Sequence, residues 1–209
     1  MSEPQRAPVV PLEAGAGPDN PPCPACGEPL FGWIGSRPGV DGPVSRCESC
    51  GLGVVGAPGE PEAALRELDR DRRGERYELA DRGGLSAWIG GAGWAALRPG
   101  AGYLFTLEAA RRLLARRDQL VRRARWRPVA GVLLMWQTIL NGFTFGHNVG
   151  LGLIGRGSHL PARRSWQRRL DAVICVLAAV PALLIALPLE LLAAALGRGG
   201  AVGFSTELL

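Results

Sequence analysis

The chain has 209 residues, with 24 basic and 19 acidic side chains and a formal net charge of +5 at pH 7. A charged fraction of 21% and an apolar fraction of 47% exclude a wholly disordered chain, and the length suffices for one or two small domains. All 24 basic residues are arginine, which we attribute to codon bias rather than to a mechanism.

The charge is distributed unevenly along the chain. Residues 1–81 carry 8 arginines and 14 acids, whereas residues 82–170 carry 15 arginines and 2 acids. The remaining residues, 171–209, carry one arginine and 3 acids, so the net charges of the three segments are −6, +13 and −2. A basic block of this kind predicts an anionic partner, which is a lipid surface, a nucleic acid or a phosphorylated substrate.

Residues 1–20 are rich in proline, alanine and glycine without periodicity, and we predict a disordered arm there. The polar start has no apolar core of the kind found in secretory signal peptides, so the N-terminal region is expected to be cytoplasmic.

Two Cys-x-x-Cys-Gly motifs follow about twenty residues apart and predict a zinc ribbon over residues 21–57. The four candidate ligands are Cys23, Cys26, Cys47 and Cys50. Two residues between thiolates let one tight turn present both sulfurs to one ion, and the glycine after each motif permits the turn. Four thiolates close a tetrahedral shell around Zn²⁺ and leave no position for water, so the site is predicted to be structural.

The segment between the two motifs, which contains Phe31 and Trp33 and then a Gly/Pro-rich turn, is expected to form a β-hairpin held by the metal. Disulfide pairing is the alternative, and the cytoplasmic setting argues against it. The fifth cysteine, Cys175, lies in an apolar run and is expected to be a buried small hydrophobic residue.

Residues 58–82 are dense in charge with a thin apolar stripe, and we predict a charged helical linker. Residues 83–128 are predicted to form an Arg-rich helix and strand. Thr106 is the expected N-cap of that helix, the strand covers residues 122–127, and Pro128 ends it.

These pieces resemble the zinc-ribbon-headed class I S-adenosylmethionine (SAM) methyltransferases of bacteria. Residues 23–68, with Cys50-Gly51-Leu52, look like the ribbon head of that family, and residues 94–126, with Tyr103-Leu104-Phe105-Thr106, look like its last helix and strand. Leu140-Asn141, His147-Asn148, Leu189-Glu190 and Gly197-Arg198-Gly199-Gly200 are similar to its C-terminal extension.

The resemblance implies a methyltransferase relative without the SAM-binding core. That core takes on the order of a hundred residues in a doubly wound sheet, whereas Gly56 and Trp88 stand only about thirty residues apart. We therefore expect no complete Rossmann-like sheet, assign no residue to SAM binding or methyl transfer, and consider SAM an improbable cofactor.

Residues 171–197 are predicted to form a transmembrane helix or hairpin, because residues 172–189 carry no charge. About 25 apolar residues reach roughly 37 Å, enough to cross a bilayer core of about 30 Å. Four arginines precede this segment, namely Arg163, Arg164, Arg168 and Arg169, and one follows it. The positive-inside bias predicts residues 1–170 in the cytoplasm and a short tail, 198–209, outside. A monotopic hairpin and a buried helix of a soluble fold are the alternatives.

Residues 129–170 include a second uncharged stretch that polar residues interrupt, so an amphipathic helix at the membrane interface is expected there, with a second span as the alternative. The fold class expected overall is a small zinc-ribbon hairpin, then a mainly α region with a C-terminal membrane helix.

The functional hypothesis is a non-catalytic, membrane-anchored zinc-ribbon protein whose ribbon binds a protein partner and whose arginines face anionic lipid. One alternative is a SAM-dependent methyltransferase, or an accessory half of one, acting on a membrane-associated substrate. The other is a nucleic-acid-binding zinc-ribbon protein.

Overall fold

The computed structural model describes residues 20–35, 42–74, 76–97, 100–155 and 164–208. The strands in these ranges are β1 (Leu30–Ile34), β2 (Val44–Cys47), β3 (Gly53–Val55), β4 (Arg72–Arg73), β5 (Arg76–Ala80), β6 (Tyr103–Leu104), β7 (Gln119–Trp126) and β8 (Ala201–Leu208). The helices are α1 (Pro61–Arg70), α2 (Leu85–Gly90), α3 (Leu107–Ala115), α4 (Pro128–Asn141), α5 (Val149–Leu153) and α6 (Ser165–Ala195).

The first four-stranded sheet contains the predicted N-terminal hairpin. Its order is β1-β2-β3-β6, and all three pairings are antiparallel. Val44 and Cys47, at the two ends of β2, are both buried. They are three positions apart and so point to opposite faces of the sheet, where they join different apolar clusters. The hairpin expected between the two cysteine motifs is confirmed, and β3 and β6 extend it.

The second sheet has the order β4-β5-β8-β7 and is also antiparallel throughout. Its inner strand β8 pairs with β5 on one side and with β7 on the other. Val202 and Phe204 alternate into the core, where Phe204 stacks on Tyr77 with 5.0 Å between ring centroids. The prediction of a short tail over 198–209 on the far side of a membrane is therefore wrong, because residues 201–208 belong to the same sheet as residues 76–80.

Two further expectations need correction. The helix predicted over the whole linker 58–82 ends at Arg70, where α1 has buried Ala64, Leu65 and Leu68. The chain then turns into the β4–β5 hairpin, because Tyr77 and Leu79 alternate with more exposed residues and bury one face. The region after the first hairpin is consequently mixed α/β rather than mainly α.

No strand pair among the described residues is parallel, and neither sheet is closed. The described strands therefore do not form the doubly wound parallel sheet that holds a dinucleotide-like cofactor.

Helix α4, within the segment 129–170 predicted to hold an amphipathic interfacial helix, packs against other parts of the protein on two faces. Its apolar side chains, including Met135 and Leu140, pack against α6. Its polar side chains turn the other way and bond the loop that follows α2: Thr138 Oγ1 accepts from Ala95 N at 3.1 Å, and Asn141 Nδ2 donates to Gly93 O at 2.9 Å. Both faces of α4 are thus occupied by protein.

Helix α6 runs antiparallel to α4, and two buried carboxylates fix the pair at its ends. Near the start of α6, the Asp171 carboxylate accepts from the backbone N–H groups of Phe145 and Gly146 at 2.8 and 2.9 Å. Near its end, Glu190 Oε1 accepts from Gly200 N at 2.6 Å. Glu190 also packs against Gly131 of α4, where a methyl group would collide with the carboxylate.

We predict that Gly131→Ala destabilises the α4–α6 pair. The added Cβ forces α4 and α6 apart or displaces the Glu190 carboxylate from its backbone donor. Overpacking of this kind lowers the free energy of unfolding by about 1–3 kcal/mol. Urea unfolding in mild detergent, followed by circular dichroism, measures the loss. Gly93→Ala is the control, because its Cβ would meet its nearest neighbour at an ordinary 3.8 Å. Equal stability of both variants would contradict the role given to Gly131.

Candidate metal centre

The four predicted ligands come together at one end of the first sheet. The ligand atoms of Cys23, Cys26, Cys47 and Cys50 all lie within 4.8 Å of one another, and we call these four residues the cysteine cluster. The Sγ atoms of Cys23 and Cys50 are 3.6 Å apart, and those of Cys26 and Cys47 are 3.4 Å apart. A tetrahedron with metal–sulfur bonds of about 2.3 Å has edges of about 3.8 Å. The cluster could therefore hold one metal ion.

The two motifs have the same backbone geometry. In each, the glycine donates to the first cysteine's carbonyl, from Gly27 N to Cys23 O at 2.8 Å and from Gly51 N to Cys47 O at 3.0 Å. Both glycines have positive φ, +82° and +75°, which only glycine adopts without strain. Each motif is thus a tight turn that presents two sulfurs to the same point.

The thiols of the cluster are coupled through their short contacts. Hydrogen bonding from the Cys50 thiol lowers the pKa of Cys23 to about 5, and the same contact raises the pKa of Cys50. Burial raises the pKa of Cys47. A cation at the centre would remove this competition, since all four sulfurs would then be thiolates held by one positive charge. All five cysteines are free of disulfides, and Cys175 is buried in the α4–α6 interface as expected.

The second motif is fastened to the rest of the fold by two side chains. Thr106 Oγ1 donates to Cys50 O at 2.5 Å and accepts from Ala109 N at 3.0 Å, so the predicted N-cap of α3 is also a brace for the cluster. Arg82 Nη1 donates to Gly51 O at 2.7 Å. Gly51 has no room for a Cβ, which would come within 2.7 Å of Thr106 Cγ2.

Two charged residues near the cluster, the buried Asp81 and the partly buried Arg82, escaped the sequence analysis. Asp81 is 5% exposed; its Oδ1 accepts from Gly83 N at 2.7 Å, and burial raises its pKa to about 6. The guanidinium of Arg82 lies 4.3 Å above the ring of Trp33, and burial lowers the pKa of Arg82 to about 10. In the sequence these residues stand in a charged stretch with no motif around them, so no signal there separates them from solvated charges.

The predicted membrane-flanking arginines lie elsewhere. Arg164, Arg168 and Arg169 are exposed at the beginning of α6. Arg163 falls outside the described residues. They are thus at the end of α6 opposite to Glu190, which adjoins the second sheet through Gly200.

Several other arginines of the basic block meet acids that the fold brings to them. Arg117 contacts Asp69 at 2.7 Å, and Arg127 contacts Glu78 at 2.6 Å. Arg122 contacts Glu207 at 3.2 Å, and Arg112 contacts Glu108 at 2.9 Å. Three of these four acids lie outside residues 82–170, so folding lowers the charge contrast between the segments.

No protein-family model, no curated protein and no solved structure matches the chain. The resemblance to the ribbon-headed methyltransferases accordingly stays a prediction from the sequence.

We predict that Cys47→Ser removes the bound metal and loosens the first sheet, because one neutral hydroxyl replaces a thiolate that closes the shell. Elemental analysis of the purified protein should give about one metal ion per wild-type chain and much less than one in the variant. Cys175→Ser is the matched control and should keep the metal. Metal retention by Cys47→Ser, or its loss in the control, would show that the cluster is not the site.

We predict that the free energy of unfolding depends on pH through the buried carboxyl group of Asp81. Its folded pKa of about 6 lies above the ordinary value of 3.8, so the folded state binds the proton more tightly than the unfolded state. The stability that this tighter proton binding gives to the folded state is fully present below the unfolded pKa. It is lost as the pH rises through about 6. Between pH 5 and pH 8 the free energy of unfolding of the wild type should fall by about 1–2 kcal/mol relative to that of Asp81→Asn, whose side chain does not titrate. Denaturant unfolding at several pH values measures both proteins, and parallel curves would contradict the assignment.

Proposed function

We propose that the protein is a non-catalytic, membrane-associated zinc protein, in which Zn²⁺ at the cysteine cluster holds a protein-binding head and α6 attaches that head to a lipid bilayer. The head comprises the two sheets with α1, α2 and α3. The observation that carries the proposal is the exposed, uncharged surface of α6.

Helix α6 is the one helix among the described residues that is long and apolar enough to cross a membrane. Only a narrow stripe of it faces α4, so more than half of its circumference is open between Ala172 and Leu196. The side chains on this surface that are at least half exposed are Val173, Val176, Leu177, Val180, Leu184, Ile185, Leu191, Leu192 and Leu196. Its two acids, Asp171 and Glu190, are both 1% exposed and turn inward. A soluble protein would expose this surface to water at a large cost, and lipid removes that cost.

The ends of α6 carry the residues that favour a membrane interface. Trp166 is 52% exposed near the start, beside the exposed arginines of the first turn. Trp88 of α2 is 81% exposed, and α2 packs against α4 and α6. Tryptophan and arginine are enriched where the hydrocarbon meets the headgroups.

The fold supports a helix lying along the bilayer surface over one crossing it. Asp171 holds the loop after α4, whose Asn148 Nδ2 donates to Ala95 O of the head at 2.8 Å. Glu190 holds Gly200 at the start of β8. These two acids are 19 residues, about 28 Å, apart on the helix, nearly the thickness of the hydrocarbon core. A perpendicular α6 would take irregular head loops to bilayer depth, where lipid-exposed loops do not occur.

Zinc is the metal proposed because four cysteine sulfurs from two short turns form its usual structural donor set. Cys23, Cys26, Cys47 and Cys50 would hold the ion, which supplies a permanent cross-link and no open coordination position. Thr106 and Arg82 connect this cross-link to α3 and to the segment after β5, so the metal stabilises the whole head.

Lipid is proposed in preference to nucleic acid for one reason. Arginines that could bind nucleic acid are already paired with acids, whereas the apolar surface that could bind lipid is open. Arginines such as Arg117, Arg122 and Arg127 already contact acids of the protein itself. The apolar surface of α6, by contrast, has no covering element among the described residues.

We predict that Leu177→Glu weakens binding to phosphatidylcholine vesicles by at least tenfold. The change removes a side chain that is 72% exposed on the lipid-facing surface and adds a charge that lipid excludes. Loss of one buried leucine costs about 1.5–3 kcal/mol, which alone corresponds to about a tenfold change or more. Vesicle flotation measures the bound fraction. Leu208→Glu, at a side chain 78% exposed on β8, is the control and should bind like the wild type. A wild type that stays unbound would refute the membrane assignment.

The placement of α6 has its own test in a Cys175→Ser background. With protein bound from outside to sealed vesicles, a membrane-impermeant maleimide should label both Ser165→Cys and Leu208→Cys, because the start of α6 and the end of β8 then lie on the same side of the bilayer. Mass spectrometry locates the label. If the Ser165→Cys thiol reacted only after detergent was added, α6 would cross the bilayer and the surface placement would be wrong.

A further inference from the structure

A cavity of about 330 Å³ lies between the first sheet, the start of α2 and Arg198, which stands in the connection between α6 and β8. Its walls are formed by Trp33, Arg46, Arg82, Trp88 and Arg198, together with residues 83–85. These residues come from four separate parts of the chain, so only the folded protein assembles the cavity. We call it the arginine cavity.

The arginine cavity is positively charged and has no acidic lining residue. Asp81, the acid adjacent in sequence, turns its carboxylate to the backbone N–H of Gly83. Arg46 contacts Glu48 at 3.3 Å, where 43% and 62% of the two side chains are exposed, and such a solvated pair is weak. Arg198 has no ion pair with any described acid. Three arginines thus line the cavity, and the charges opposite them, Asp81 and the cysteine cluster beside Arg82 and Glu48 beside Arg46, lie outside its lining.

Arg82 is the most constrained of the three cations. Trp33 lies under its guanidinium, and Nη1 is held by Gly51 O. Its Nε is buried without a hydrogen-bond partner in the described part of the protein. A buried donor of this kind lacks the hydrogen bond that it would have in water, and an oxyanion in the cavity could supply an acceptor.

The backbone around the arginine cavity depends on a close approach. A Cβ on Gly84 would come within 2.7 Å of Gly199 O and 2.9 Å of Gly200 Cα. Leu85 N donates to Arg198 O at 2.9 Å, which fixes Arg198 against the start of α2. The backbone at Arg198 is therefore held in place beside the cavity.

The mouth of the arginine cavity adjoins the proposed membrane surface. Arg198 follows the last residue of α6 by three positions and its backbone N–H donates to Ala193 O, in the turn that also carries the exposed Leu192 and Leu196. Trp88 and Ile89 on the other side are 81% and 47% exposed. A cationic cavity bordered by apolar side chains and an exposed indole matches the level of the headgroups when α6 lies in the bilayer surface.

We propose that the arginine cavity binds the phosphate group of an anionic lipid headgroup, with Arg46, Arg82 and Arg198 contacting the phosphate oxygens and Trp88 lying at the headgroup level. This inference rests on the proposed membrane association. Arginine is suited to the role because its planar fork of N–H donors matches the geometry of phosphate oxygens.

The test compares vesicles of phosphatidylcholine alone with vesicles that also contain phosphatidylglycerol. Wild-type protein should bind the first through α6 and the second more tightly. Arg198→Gln and Arg46→Gln should each lower the phosphatidylglycerol-dependent gain by about fivefold, the effect expected for one arginine at a charged surface, and leave phosphatidylcholine binding unchanged. Arg82 is not varied, because it also braces the cysteine cluster. Arg116→Gln, an exposed arginine at the end of α3, is the charge-matched control and should change the gain by less than about twofold.

The outcomes separate this inference from the proposed function. If phosphatidylcholine binding is unchanged but Arg116→Gln lowers the phosphatidylglycerol-dependent gain as much as Arg198→Gln does, the gain is general electrostatic attraction. That result would overturn phosphate binding in the arginine cavity and leave the proposed function standing. Wild-type protein that binds neither vesicle would overturn both. In a second arm, inorganic phosphate is titrated against tryptophan fluorescence in detergent. Saturable binding that Arg198→Gln abolishes, without any phosphatidylglycerol-dependent gain, would assign the cavity to free phosphate and overturn the lipid.

Discussion

The pairing of β8 with β5 and β7 is the constraint on which the remaining structure depends. It brings the last described residues back to the middle of the sheet that residues 76–80 and 119–126 form. Helices α4 and α6 must therefore leave this sheet and return to it within 73 residues, from Pro128 to Gly200. An antiparallel helix pair satisfies that requirement, and it makes the most apolar segment of the chain an outer helix of a compact unit rather than a terminal anchor.

The buried polar groups determine how this helix pair attaches to the head. Asp171 and Glu190 accept hydrogen bonds from backbone N–H groups, of which those of Gly146 and Gly200 are in buried contacts. Gln137, Thr138 and Asn148 are likewise buried. Gln137 is bonded to the backbone of α5, and Thr138 and Asn148 are bonded to the loop backbone at Ala95. Such bonds have fixed directions, so they set the rotation of α4 and α6. The consequence for function is that all polar groups of α6 beyond its first turns face protein and its outer surface is left entirely apolar.

The cysteine cluster and the arginine cavity are joined by Arg82. Its guanidinium bonds the second cysteine motif and also lies in the wall of the cavity. Trp33, from the hairpin between the two motifs, supports it from below. A metal ion in the cluster would thus order the cavity walls as well, which links the proposed structural role of zinc to the proposed recognition of lipid.

The sequence alone determined the features that depend on neighbours in the chain. The spacing of Cys23, Cys26, Cys47 and Cys50 gave the cluster, the Thr106 cap gave the start of α3, and the uncharged run after Asp171 gave the apolar helix. Only the tertiary structure decided what depends on distant pairs. Residues 201–208 are predicted as a tail because their partners lie more than 75 residues earlier. The polar residues of α4 are predicted only as interruptions of an interfacial helix, because the backbone groups that Gln137, Thr138 and Asn141 bond come from other segments. Arg46, Arg82 and Arg198 form no motif, since guanidinium groups 36 and 116 residues apart converge only after the β-sheets and α6 have packed.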